Sequence, residues 1–129
     1  MTFISDIATA MIAAGYGTQL GQDLFAFRFP PTPLIAYLII PRSGRPPDSV
    51  MGGDPVDHQR LQIQVRDTDL ATAEANAEAL RRALDDTVTT GGRTIFATSS
   101  YPVDLTDEAD IGVGAYRFSI DYEILMERV

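Results

Sequence analysis

The chain has 129 residues, no cysteine and a formal net charge of −8 at pH 7. Without cysteine there is neither a disulfide framework nor thiolate chemistry, and the acidic balance argues against a dedicated nucleic-acid binder or a protein that docks on anionic lipid. The longest apolar run, residues 34–40, is too short to span a bilayer. We therefore expect one soluble domain over residues 1–129, with no signal peptide.

The first third of the chain predicts a helix followed by two strands. Apolar residues at helical spacing indicate an amphipathic helix over residues 3–14, with Thr2 or Ser5 as its cap. Residues 24–29 predict a short strand with three phenylalanines on one face. Prolines separate this strand from residues 34–40, an almost wholly apolar strand of the kind that is usually covered on both faces.

Residues 41–57 contain four prolines and three glycines, a composition that prevents regular structure. A loop of this length is uncommon in a compact domain and is often functional. We interpret residues 41–57 as an arm or flap, with Arg42 and Arg45 as its charged contacts.

A strand and a helix follow the arm. Residues 60–66 alternate strictly between apolar and polar, which predicts a strand with one buried face. Residues 69–86 predict an amphipathic helix capped by Asp67 or Asp69. Its expected buried stripe is Leu70, Ala73, Ala77, Leu80 and Leu84.

The last third predicts two short strands over residues 93–97 and 101–105, an acidic turn, and a long alternating strand over residues 115–126. Two helices are too few to cover both faces of a sheet. We therefore predict an α+β fold, with one mixed or antiparallel sheet of about five strands and two helices packed on one face. Several residues assigned to the other face are apolar and favour a protein partner: Leu24, Leu38, Ile40 and Leu125.

The sequence contains no reactive constellation. His58 is the only histidine and has no nucleophile motif beside it. The acidic stretch that contains Asp104, Asp107, Glu108 and Asp110 lacks the ligand pattern of a calcium loop. We therefore predict no catalytic, cofactor or metal site, and a protein that is not an enzyme.

Residues 61–86, LQIQVRDTDLATAEANAEALRRALDD, resemble the tail terminator proteins of long-tailed phages. This family is also described as minor capsid or tail-completion proteins and has relatives in prophage-derived, gene-transfer-type particles. The order of the predicted elements extends the resemblance over most of the chain. At residue level it depends chiefly on the closing strand and on Gln62, Gln64, Val65, Arg66, Asp67 and Leu80.

The resemblance implies a homo-oligomer, a hexameric ring that caps the tail tube and halts its polymerisation. The ring would contact the tail tube protein on one side and head-completion proteins on the other. DNA would pass through its lumen without specific binding. No cofactor and no reaction are implied. The protein would be a virion component at the head–tail interface, assembled in the host cytoplasm.

For the ring contacts we predict one surface of each protomer against a different surface of its neighbour. Arginines would pair with acidic residues across this contact, and Arg45→Glu should weaken assembly. The predicted interface residues are Leu38, Ile40, Arg42, Arg45, Arg66, Asp104, Asp107 and Glu108.

Two alternatives remain open. Within the structural class, the chain could be a head–tail connector stopper or a tail tube subunit, of which the latter would form open-ended cylinders. From a different class, it could be a small ligand-binding or hydrolytic domain that uses His58 and the acidic turn.

Overall fold

The computed structural model describes residues 2–42 and 56–127. This part of the chain forms three helices and seven strands. The helices are α1 (Phe3–Ala13), α2 (Leu70–Leu84) and α3 (Glu108–Gly112). The strands are β1 (Leu24–Ala26), β2 (Ala36–Arg42), β3 (Val56–Asp67), β4 (Thr87–Val88), β5 (Thr94–Ala97), β6 (Val103–Asp104) and β7 (Tyr116–Glu127).

The strands described here belong to one mixed sheet in the order β1-β2-β3-β7-β5-β4, with β6 also paired to β7. The β1–β2 pair is parallel and the other pairs are antiparallel. β3 and β7 pair along their full lengths and form the centre. β5 and β6 therefore lie end to end on the opposite side of β7 from β3. In the half of the sheet that contains β6, the two edges are β1 and β6.

Helices α1 and α2 share one hydrophobic core with the sheet face that they cover. The predicted alternation is confirmed, because β3 and β7 direct their apolar residues to this core. Leu24 also lies in the core and is fully buried, so its assignment to the uncovered face was wrong. The core residues from the two central strands are Leu61, Ile63, Val65, Phe118, Ile120, Tyr122 and Ile124.

The ends and the buried stripe of α2 agree closely with the sequence prediction. Asp69 is the N-cap, since its carboxylate accepts a hydrogen bond of 2.9 Å from the backbone N–H of Thr72. Ala73, Ala77, Leu80 and Leu84 are buried as expected. Leu70 is 47% exposed instead, because it lies in the first turn, where the chain has just left the end of β3.

The fold class was right, but the count of about five strands and two helices was too low. β4 and β6 have two residues each and α3 has five, so none is long enough to show a periodic pattern. The acidic stretch that the sequence predicts as a turn instead contains the end of β6 at Asp104 and the helix α3, which begins with a reciprocal capping box between Asp107 and Asp110.

The expected arm is shorter than predicted at both ends. β2 continues through Pro41 and Arg42, and β3 already begins at Val56. His58 is consequently a strand residue. The rest of the expected arm, residues 43–55 with Arg45, lies outside the described residues.

Tyr122 connects β7 to α2 inside the core. It is almost fully buried, and its hydroxyl donates a hydrogen bond of 3.1 Å to the backbone carbonyl of Leu80. Burial raises the pKa of Tyr122, so the hydroxyl stays protonated over the usual range of pH. We expect Tyr122→Phe to lower the free energy of unfolding by about 1 kcal/mol, as measured by urea denaturation. An unchanged unfolding midpoint would show that the bond adds nothing.

Candidate interface surfaces

The sheet face that α1 and α2 leave uncovered, here called the second face, is polar at its centre. Strand alternation places on it the β3 residues His58, Arg60, Gln62, Gln64 and Arg66, opposite the β7 residues Leu125, Glu123, Asp121, Ser119 and Arg117. Apolar side chains occur on the neighbouring β2, where Leu38 pairs with Gln64 and Ile40 with Gln62. Leu38 is buried and Ile40 is half-buried.

Side-chain hydrogen bonds cross the second face from β2 to β7. Arg42 donates through Nη2 to Gln62 Oε1 over 2.6 Å, and Gln64 donates through Nε2 to the same oxygen over 3.2 Å. Arg117 then donates through Nη1 to Gln64 Oε1 over 3.4 Å. Both glutamine side chains are buried, so these bonds satisfy groups that would otherwise destabilise the face.

A polar cavity of about 750 Å³ lies at one end of the second face. Inside it, His58 Nδ1 lies 3.0 Å from Glu123 Oε1. The residues that line it are Arg42, His58, Gln59, Arg60, Leu61, Gln62, Thr98, Asp121, Tyr122 and Glu123. No cluster of three or more metal-ligating side chains occurs within residues 2–42 and 56–127. A histidine–carboxylate pair could hold a polar group here, but no serine or cysteine among the lining residues accompanies it as a nucleophile.

Arg66 is buried at the other end of the second face, where it binds the segment between β1 and β2. Its Nη2 donates to the carbonyls of Pro30 over 2.9 Å and of Pro33 over 2.5 Å, and its Nε donates to the carbonyl of Leu34 over 3.1 Å. The guanidinium carbon also lies 4.2 Å from the ring centroid of Phe29. Burial lowers the pKa of Arg66, but an arginine remains cationic at neutral pH. Arg66 thus fixes residues 29–34 against the sheet.

Exposed residues near these carbonyls form a surface beside strand β1, here called the β1 edge. Its members are Leu20, Phe27, Arg28 and Ile35. Phe27 has a φ of +73°, and the N–H of Arg28 donates to the carbonyl of Ala26 over 2.9 Å, which together make a strained γ-turn. The predicted strand over residues 24–29 therefore ends at Ala26. Phe27 is 66% exposed, whereas Phe25 and Phe29, which were predicted to share its face, are half-buried.

The β1 edge borders an apolar groove of about 440 Å³. Its lining residues are Leu20, Gly21, Phe25, Ala26, Arg28, Phe29, Pro30 and Pro31. Arg28 is the charged member of this set; its side chain is exposed and makes no hydrogen bond or ion pair with another described residue. The β1 edge thus combines exposed apolar surface with one positive charge that no described residue pairs.

The opposite edge of the same half-sheet, the β6–α3 edge, combines exposed apolar residues with acidic ones. Ile111 and Val113 are 64% and 60% exposed, and Tyr101 and Val103 are each half-exposed. The acidic members are Asp104, Asp107 and Glu108, all of them exposed.

The three carboxylates of the β6–α3 edge differ in what they contact. The Asp107 carboxylate accepts a hydrogen bond from the backbone N–H of Asp110, and its Oδ2 lies 3.3 Å from Arg117 Nη2. These interactions lower the pKa of Asp107. Asp104 accepts from the N–H of Thr106 over 2.8 Å. The Glu108 side chain makes no hydrogen bond or ion pair with another described residue, so its charge is available to a partner.

The structure divides the eight predicted interface residues into three sets. Leu38 and Arg66 are buried within the protomer, and Ile40 is half-buried. Arg45 lies outside the described residues. The other four are exposed: Arg42 on the second face, and Asp104, Asp107 and Glu108 on the β6–α3 edge.

Sequence reasoning missed Phe27, Arg28, Ile111 and Val113. The alternation placed Phe27 on one face of a strand together with Phe25 and Phe29, and no local pattern indicated that Phe27 alone would be largely exposed. Ile111 and Val113 did carry a signal, because each is an apolar residue beside a glycine in an acidic stretch, with no periodic apolar partner.

A family model described as "Bacteriophage tail terminator protein" matches residues 11–128 of the chain. No protein with a curated description matches it. Within residues 2–42 and 56–127, none of the helices is both long and apolar enough to cross a membrane.

Proposed function

Because this chain belongs to the bacteriophage tail terminator family, a structural family of the virion tail, we propose that its protomers close into a hexameric ring that caps the tail tube. The ring stops polymerisation of the tube protein at the finished length. Its other side gives the head-completion proteins a surface to join. Assembly takes place in the host cytoplasm before the tail meets the head.

Two chemically different edges on one protomer carry this proposal. The β1 edge and the β6–α3 edge both expose large apolar side chains, and they lie on opposite sides of the sheet. Extended apolar surface of this kind marks an interaction site in a soluble protein. A ring built by rotation requires each protomer to present two different surfaces, one to each neighbour.

The charge of the chain suits a ring through which DNA passes. A protomer with a formal net charge of −8 repels the phosphate backbone, so a duplex can slide through the lumen without being held. This role uses no cofactor and no catalytic group, in line with a structural family.

The residues predicted for the interface take different parts in this proposal. Arg42 and Glu108 are exposed and can contact a neighbour or the tube directly. Arg66 acts from inside the protomer by fixing the segment beside the β1 edge. Arg45 keeps its predicted role as a charged contact, and Arg45→Glu should weaken assembly without changing the circular dichroism spectrum.

Light scattering at several protein concentrations tests the ring. The protomer has a mass of 14.1 kDa, and we expect one assembled species, a hexamer, that stops growing as the concentration rises. Growth without limit would favour the tail tube alternative, in which the contacts do not close. A monomer at every concentration would contradict closure by the protein alone.

The cavity around His58 and Glu123 favours a second candidate, a small ligand-binding domain. Thermal unfolding with metal ions and nucleotides tests it, because a ligand at 100 times its Kd adds about 2.7 kcal/mol, or roughly 10 °C for a domain of this size. We expect no such rise. A rise that His58→Asn abolishes would support the second candidate.

A further inference from the structure

We propose that the β1 edge of one copy of this chain binds the β6–α3 edge of the next copy. This inference rests on the proposed ring and specifies which surfaces close it. The groove beside β1 receives Ile111 and Val113, while Arg28 faces Glu108 across the contact.

The topology places these two surfaces where a head-to-tail contact needs them. β1 is the edge strand next to β2. β6 lies at the opposite edge, where it pairs with the side of β7 that faces away from β3. α3 follows β6 in the chain and is held to the same strand by an ion pair between Asp110 and Arg117, with Oδ2 and Nε 3.3 Å apart. Neither surface can reach the other within one protomer, since β2, β3 and β7 lie between them.

The contact is made by side chains rather than by extension of the sheet. Local turns already use two carbonyls of strand β1: Leu24 accepts from the N–H of Gly21 over 2.7 Å, and Ala26 accepts from that of Arg28. On the other side, β6 has two residues and offers little backbone to pair. The β1 edge is therefore a poor site for adding a strand, which leaves its groove and exposed side chains to provide the affinity.

Apolar complementarity selects the two surfaces. The groove is lined by aromatic rings, prolines and Leu20, and it is concave. Ile111 and Val113 project from a short helix and its C-terminal end, and they are among the most exposed apolar residues of the described chain. Phe27 lies beside the groove in a conformation that phenylalanine adopts only at a cost, and such strain is retained mainly where function requires it.

Charge complementarity favours a second copy over an unrelated partner. Arg28 on the β1 edge and Glu108 on the β6–α3 edge carry opposite charges, and neither side chain makes a hydrogen bond or ion pair with another described residue. Opposite charges at the rim of an apolar contact set its register and suppress contacts between like surfaces. Two β1 edges brought together would place Arg28 against Arg28, so the same charges disfavour a symmetric dimer.

Charge reversal tests this pairing in the full-length protein. We expect Arg28→Glu and Glu108→Arg each to raise the concentration at half-assembly by about tenfold, and the double variant to return it to near the wild-type value. Arg82→Glu controls for the change in net charge: it reverses an exposed arginine on the outer face of α2, where Arg82 pairs with Glu78 of the same helix, and it should leave assembly unchanged. If the double variant assembles more weakly than either single variant, so that the two losses of assembly add, Arg28 and Glu108 do not pair.

Phe27→Asn separates assembly from folding. Asparagine tolerates a positive φ better than phenylalanine does, so the variant should unfold at the same urea concentration as the wild type or at a higher one. If Phe27 lies at the contact, assembly is nevertheless lost. Wild-type assembly by this variant would show that its exposed ring has no part in the contact.

Cross-linking then tests the geometry, because the chain contains no cysteine of its own. Arg28→Cys with Glu108→Cys, treated with a short thiol-specific cross-linker, should give a ladder of covalent oligomers that ends at the size of the ring. The control pair of Arg28→Cys with Ala75→Cys, on the exposed face of α2, should give no ladder. If the wild-type protein forms rings but the first cysteine pair gives no ladder, the inferred contact is wrong and the proposed ring is unaffected. If the wild-type protein never assembles, both the contact and the ring are wrong.

Discussion

Arg66→Met should lower the free energy of unfolding by about 3 kcal/mol. The variant keeps most of the buried volume but leaves the carbonyls of Pro30, Pro33 and Leu34 without their donor. A buried polar group left without a partner costs about 1–3 kcal/mol, and some of these carbonyls will find water once residues 29–34 loosen. Urea denaturation with circular dichroism measures the loss.

The same substitution should also reduce assembly, because the groove beside β1 is built partly from the segment that Arg66 fixes. Arg66→Lys is the control: it keeps the charge but cannot donate from a planar fork to three carbonyls, so its loss should be intermediate. Unfolding of Arg66→Met at the wild-type urea concentration would show that this guanidinium does not fix the segment.

Asp6→Asn should lower the free energy of unfolding by about 3 kcal/mol, because it removes one partner of a buried ion pair. Asp6 is fully buried on α1; it accepts from Thr89 Oγ1 over 2.5 Å, from the N–H of Gly91 over 2.9 Å and from Arg93 Nη1 over 2.9 Å. Gly91 is required for this approach, since a Cβ there would lie 2.6 Å from Asp6 Oδ2. The carboxylate therefore ties α1 to the loop between β4 and β5.

The pH dependence of stability checks the charge of Asp6. Burial raises its pKa, but the hydrogen bonds from Thr89, Arg93 and Gly91 outweigh burial and hold the pKa below its ordinary value. A depressed pKa in the folded state adds stability that is fully present above the unfolded pKa, near 4, and is lost as the pH falls through the folded pKa. The difference between wild type and Asp6→Asn should therefore shrink below about pH 4. A constant difference down to pH 2 would contradict an ionised Asp6.

The long regular elements were predictable because their signals are local. β3 alternates between polar and apolar residues over residues 60–66 and β7 over residues 116–124, and α2 shows its buried stripe together with the capping residue Asp69. Each of these patterns depends on residues that are neighbours in sequence. The family resemblance depended on the same elements, and the match to residues 11–128 confirms it.

The candidate interface was less predictable, because it depends on contacts between residues that are distant in sequence. Arg66 was predicted to pair with acidic residues of a neighbour, yet in the protomer it binds carbonyls more than 30 positions earlier. Nothing beside Arg66 in the sequence indicates those partners. The exposure of Phe27 follows from a positive φ at the end of a three-residue strand, which alternation does not reveal.

The length distribution of tails tests most directly whether this chain terminates tube growth. Electron microscopy of particles produced from the source genome with the gene for this chain deleted should show tubes of variable and excessive length that are not joined to heads. Complementation with the wild-type gene should restore tails of one length, whereas Phe27→Asn should not. Joined tails of normal length in the absence of the protein would contradict the proposed function.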